Sequence, residues 1–264
     1  MIPRYSDAIS DVIGGMRAYD MWGLIGWREI RRRYRRTVIG PFWASISLAI
    51  FVVALGIVWS QLWHLDPKQY LPFLASGMAC WLLFSSFVTE GCSVFVSAEG
   101  FIKQLRVPYM MFVCALIWRN LIVFGHNFLI FVLVCIYAQV PLNWNWLWIV
   151  PGLAAMCVNG TWIALVLGTL CSRYRDIQQV VASLLQVLLF VTPIMWPPSQ
   201  LTGRAVYLVD FNLLYHYIEI VRDPMMGLPP SPWSWFMVIA SAIVGWSFGL
   251  WFYARFRRRI AYWI

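Results

Sequence analysis

Along its length the chain alternates long apolar runs with short polar breaks. Apolar runs cover about 40–62, 71–96, 109–137, 147–170, 180–196 and 233–253. A helix needs ~20 such residues to cross a bilayer's hydrocarbon core, so the pattern predicts six transmembrane helices. The runs are continuously apolar. A transmembrane β-barrel would instead show segments of about ten residues alternating inward and outward positions, so an all-α membrane protein is expected.

The breaks differ in character. Ahead of the first run, about 19–37, Trp27, Ile30, Tyr34 and Val38 fall within about 80° of one another on a helical wheel, and arginines occupy most of the rest. Six arginines stand between positions 28 and 36: Arg28, Arg31, Arg32, Arg33, Arg35 and Arg36. This predicts an amphipathic helix lying on an anionic membrane surface; a solvated basic linker is the alternative. After the second run comes a compact polar segment, about 98–108, that ends in Pro108. The segment 199–232 is long but not very polar. Phe211, Leu214, Tyr215 and Ile218 recur there at helical spacing, between Asp210 and Asp223-Pro224, which predicts one or two short re-entrant helices.

Charge orients the runs. Of the 20 Lys and Arg residues, 16 fall in 1–37, 98–108, 171–178 and 254–264, which lie on one side when six spans are threaded. Lys68, Arg204 and Arg222 fall on the other side, and Arg119 falls within a span. Cytoplasmic loops carry the excess of Lys and Arg, so both termini are expected in the cytoplasm. The net charge of +9 is then membrane-surface charge and calls for no nucleic acid. Hydrophobic residues at 61% and charged residues at 12% fit no ordinary soluble domain. The first 20 residues carry Arg4, Asp7, Asp11, Arg17 and Asp20 and lack the apolar core of a secretory signal.

Candidate chemistry is sparse. Ionisable groups inside a span are costly and so are functional candidates. Glu90 and Arg119 sit at comparable depth in the second and third spans and could pair, either to orient two helices or on a substrate path. The histidines His64, His126 and His216 are scattered, and no nucleophile elbow, zinc helix or phosphate-binding loop is present. Catalysis and ATP binding are therefore not expected of this chain. The six cysteines lie in or beside apolar runs without metal-ligand spacing and read as small reduced hydrophobes. Most tryptophans at span ends, such as Trp59, Trp63, Trp144, Trp146, Trp196 and Trp233, fit an interfacial aromatic belt. Trp81, Trp118 and Trp162 lie inside spans and are candidates to line a channel, since flat rings stack on sugars.

The order of segments resembles a known family. An arginine-rich helix reading Arg28-Glu-Ile-Arg-Arg-Arg-Tyr-Arg-Arg-Thr-Val-Ile-Gly-Pro-Phe-Trp43 precedes six spans, with Lys103 to Pro108 after the second and Arg173-Tyr-Arg-Asp-Ile177 after the fourth. Thr192-Pro-Ile-Met-Trp196 closes the fifth, and Phe211-Asn-Leu-Leu-Tyr-His216 and Arg222-Asp-Pro224 precede the sixth. Nearly the whole chain is similar to the permease subunits of ABC transporters that export O-antigen, capsule or teichoic-acid precursors. The resemblance implies a homodimeric inner-membrane permease carrying two copies of a separate ATPase, which holds the ATP and magnesium. It implies that 98–108 is a coupling helix docking on that ATPase, with Glu99, Phe101, Lys103 and Arg106 as contacts. It also implies that 199–232 caps the channel on the outer side, and that the substrate is a glycan linked through diphosphate to a polyprenyl lipid. Because guanidinium groups bind phosphate oxygens in pairs, Arg28, Arg31, Arg32, Arg35 and Arg36 are expected to meet that diphosphate or anionic lipid. Two other readings stay open at this point: a membrane-embedded transferase for polyprenyl-linked sugars, and an ABC permease for drugs or lipids.

Overall fold

The computed structural model describes residues 5–35, 37–40, 42–200 and 207–264. All regular structure among them is helical. Two helices precede the first apolar run. Helix α1, Tyr5–Arg17, buries Ala8, Asp11, Val12 and Gly15, a helical stripe that Asp and Gly conceal from a reading by hydrophobicity. Helix α2, Tyr19–Tyr34, forms the arginine-rich segment. Its buried edge is Gly26 and Ile30; of the rest of the aromatic face, Trp27 is half exposed and Val38, beyond the helix end, is fully exposed. Gly26 sets this edge, because a Cβ there would stand 3.0 Å from the Ala115 carbonyl oxygen.

Among the described residues, five helices are long and apolar enough to cross a membrane. Helix α3 is Phe42–Trp63, entered through Gly40 in a left-handed conformation, φ 63°, that a Cβ would oppose. Helix α4, Pro67–Ser97, starts before the expected 71 because Asp66 caps it by accepting from the Lys68 backbone N–H, with Pro67 in the first turn. Helix α5, Glu99–Gln104, follows directly. Helix α6 is Met110–Ala138, and a 3-10 turn Trp144–Trp148 leads into helix α7, Ile149–Arg173. The last helix, α11, Pro232–Trp263, continues ten residues past the expected end and takes the arginines at 255–259 into its last turns.

The fifth expected span differs. Helix α8, Ile177–Val191, has 15 residues, about 22 Å at ~1.5 Å per residue, against the ~30 Å of a bilayer core. It stops at Thr192 because Pro193 disfavours helical geometry in the residue before it. Residues 192–196 then turn inward, where the Tyr70 hydroxyl donates to the Met195 carbonyl at 2.5 Å. Two short helices follow in the segment expected to be re-entrant: α9, Tyr207–Asp210, and α10, Leu213–Met225. Asn212 caps α10 by accepting from the Leu214 and Tyr215 backbone N–H groups.

Helix α4 is the axis of the fold, buried without interruption from Leu74 to Trp81 and packed against α3, α6, α7, α8 and α10. It approaches α7 closely where a Cβ on Gly91 would lie 2.9 Å from Ala164 Cα, the small-residue contact typical of membrane helices. Buried polar groups tie one end together. Asn159 Oδ1 accepts from Trp162 Nε1, the Tyr217 hydroxyl and the Ser241 hydroxyl at 2.9–3.1 Å, joining α7, α10 and α11. Arg222 is 2% exposed; it donates to the Pro193 carbonyl at 2.8 Å and sits over the Phe73 ring.

Candidate functional site

The polar residues that sequence reading singles out gather where α2, α4 and α6 meet. Glu90, near the end of α4, receives Arg119 Nη2 at 2.6 Å and Asn120 Nδ2 at 2.8 Å, both from α6. Its other oxygen takes Arg33 Nη2 from α2 at 2.8 Å. Arg119 also pairs with Glu29 of α2. Glu29 and Arg33 are one turn apart, so they reach the same neighbours from one helix face. Burial works against the charge on Arg33, but the hydrogen bond and charge of Glu90 outweigh it and raise its pKa. Sequence reading identified Glu90 and Arg119 and missed Glu29, Arg33 and Asn120. The signal available was Glu29 itself, a single acid inside a run of arginines.

Beside this network lies a cavity of about 830 Å³, walled by α2, α4, α5 and α6. Arg28, Arg32 and Arg33 line one side, and Glu90, Ser93 and Ser97 the other. The remaining wall is apolar, with Val94, Met111, Ala115 and Leu116 from α4 and α6 and with Phe101 and Leu105 from the segment after α4. The cavity thus pairs a cationic rim with a hydrocarbon lining, a combination suited to an amphiphile bearing an anionic head.

The other expected residues fall as follows. Arg31 and Arg35 are exposed and do not line the cavity, and Arg36 lies outside the described residues. On α5, Lys103 donates to Glu99 at 2.6 Å, one turn back, with both side chains about half exposed. Phe101 is 53% exposed and its ring tilts against Phe112 of α6. Arg106 is exposed in the link to α6. The three interior tryptophans do not converge. Trp81 is buried in the core, Trp118 stands edge-on to Trp22 of α2, and Trp162 bonds Asn159 where α7 packs on α11. None of them lines the cavity.

Asp11 was not anticipated. Its carboxylate is wholly buried and accepts from the Tyr109 and Met110 backbone N–H groups at the start of α6, both at 3.2 Å. It also accepts from the Tyr253 hydroxyl at 2.8 Å and from Arg257 at 2.5 and 3.0 Å. An anion at the start of α6 answers unpaired N–H groups and the helix dipole, and Arg257 balances its charge. Asp11 therefore fastens α1 to the exit of the α5 segment and to the tail of α11. With Arg258 on Asp7 at 2.7 Å, it places α1 and the end of α11 at the same end of the bundle. Nothing in the local sequence marks Asp11, because its partners lie 98 to 246 positions away.

Residues 21–226 match the family model described as ABC-2 type transporter, a span that takes in α2, the cavity, α5 and the short helices before α11. The chain belongs to that family. This ABC-2 permease is therefore a transport subunit, with ATP hydrolysis on a separate subunit. It is similar to the O-antigen export system permease protein RfbA of Klebsiella pneumoniae, 22% identical over 215 residues that cover 79% of this chain and 81% of that protein. It is also similar to RfbA of Myxococcus xanthus, 23% identical over 206 residues covering 77% and 75%. The polysialic acid transport protein KpsM of Escherichia coli is 23% identical over 202 residues, covering 75% and 78%.

Proposed function

We propose that this permease exports a lipid-linked polysaccharide across the cytoplasmic membrane, as a homodimer driven by two copies of a separate ATPase. The observation that carries the reading is that O-antigen and polysialic acid export proteins match it over three quarters of its length and of theirs. Glu99, Phe101, Lys103 and Arg106 are the docking contacts for the ATPase; the half-exposed surface of α5 supports this. Arg28, Arg31, Arg32, Arg35 and Arg36 meet the diphosphate of the carrier lipid or anionic phospholipid. The short helices α9 and α10 cap the outer end.

Both termini face the cytoplasm in this reading. The excess of Lys and Arg at that end supports the assignment, and so does the meeting of α1 with the end of α11 through Asp11–Arg257 and Asp7–Arg258. Termini at one end need an even number of passes. The sixth runs through α8, from Arg173 over the Trp263 ring to Asn212 donating to Thr192.

Purification of the complex with its ATPase, followed by hydrolysis assays in lipid, tests the reading. Stimulation by lipid-linked glycan and not by drugs is the expected result. Stimulation by drugs alone, or sugar transfer without any ATPase partner, overturns it.

A further inference from the structure

The arginine cavity reaches further than a surface patch would, because one of its walls belongs to the segment that docks on the ATPase. Its lining carries four arginines, Arg28, Arg32, Arg33 and Arg119, against two carboxylates, Glu29 and Glu90. Two positive charges are thus left over at the mouth of an apolar chamber. Arg28 and Arg32 are exposed. Arg119 is 13% exposed at its side chain, and its Nε has no hydrogen-bond partner among the described residues.

The ion pairs show how an anion would be received. Arg33 is held by one oxygen of Glu90 and is half exposed, so a phosphate can take it over at little cost in burial. Glu90 would not be stranded, because its second oxygen keeps Arg119 and Asn120. A guanidinium gives phosphate two parallel N–H bonds, and the apolar walls accept the first carbons of a lipid chain. Phe101 and Leu105 close the same chamber, with Phe101 against Phe112 of α6.

We propose that this cavity is a headgroup site for a lipid-borne phosphate, and that its occupant bears directly on Phe101 and Leu105, signalling substrate arrival to the ATPase before transport begins. This deepens the exporter reading and rests on it. The occupant displaces Glu90 from Arg33, is held by Arg28 and Arg32, and pushes on the coupling segment rather than on the distant membrane core. The same phosphate chemistry is offered by the carrier lipid and by anionic phospholipid, and the test separates them.

The full complex with its ATPase is placed in phosphatidylcholine nanodiscs, and ATP hydrolysis is followed as a polyprenyl diphosphate or phosphatidylglycerol is added. The diphosphate is expected to stimulate hydrolysis and phosphatidylglycerol is not. Removing guanidinium contacts in Arg28→Gln/Arg32→Gln should raise the half-stimulating concentration about tenfold per arginine. Ser93→Trp, which fills the chamber and removes no charge, should abolish the response. Co-purification with the ATPase checks that each variant is folded. A wild-type response in both variants, or equal stimulation by phosphatidylglycerol, overturns the proposal. Export of glycan by the wild-type complex in cells, with no effect of the diphosphate on the purified complex, overturns this proposal and leaves the exporter reading standing. Failure to export any glycan overturns the exporter reading itself.

Discussion

Replacing Asp11 with alanine removes a carboxylate that joins α1, α6 and α11. In the folded protein the substitution leaves the Tyr253 hydroxyl, on a residue 0% exposed, without its acceptor. It also leaves the Tyr109 and Met110 N–H groups unpaired at the start of α6. Each buried orphan costs about 1–3 kcal/mol. Arg257 loses its counter-ion too, but its side chain is 28% exposed, so water compensates it in part. The expected loss is about 3–5 kcal/mol, in the range seen when a buried pair is broken from one side. Tyr253→Phe alone removes only the hydroxyl, at about 1 kcal/mol. Once Asp11 is gone that hydroxyl is a liability, so the double variant should fall short of the sum of the singles by about 2–4 kcal/mol. Reversible unfolding by SDS titration in mixed micelles, followed by tryptophan fluorescence, measures all three. Additivity within about 0.5 kcal/mol would refute the claim that Asp11 and Tyr253 act through each other.

Three further outcomes follow from other contacts. Glu90→Gln should destabilise the protein by about 2–4 kcal/mol, and combining it with Arg119→Leu should cost less than the two separately, because both remove the same bond; the same SDS titration reads this. Gly152→Val should lower the folded yield sharply, since a Cβ there meets the Ile220 backbone oxygen at 2.5 Å and backbone cannot yield as a side chain does; size-exclusion recovery checks it. Arg222→Met should loosen residues 192–196, which Asn212 and Tyr70 still hold, by removing the bond to Pro193, at about 2 kcal/mol, and thiol labelling of a cysteine placed at Trp196 should accelerate.

Much of the helical plan was legible in the pattern of residues. The recurrence of Leu214, Tyr215 and Ile218 foretold α10, and the polar break after α4 holds a short helix that runs Glu99–Gln104, whereas Asp66 and Asn212, the caps of α4 and α10, were passed over. One local reading went astray for a reason that can be named. Counting apolar residues extended the fifth run to Trp196 and undervalued Pro193, which ends α8 at Val191 because it restricts the residue before it. On α2 hydrophobicity picks out Trp27 for a membrane surface, whereas closeness of approach at Gly26 sets the edge that packs in the bundle.

What the chain alone determined is its class: long apolar runs must satisfy their own backbone hydrogen bonds, and helices do so within one segment. The placement of arginines and the order of breaks were likewise written locally. The cavity was not. Its walls come from residues 21 to 119, and only helix packing decides that Arg33 meets Glu90 while Arg31 does not. Asp11 is the extreme case, a carboxylate whose role depends on Tyr253 and Arg257 some 240 positions away. Periodicity reports which face of a helix is apolar; it carries no term for which distant helix supplies the missing hydrogen bonds, and that was settled by the tertiary structure.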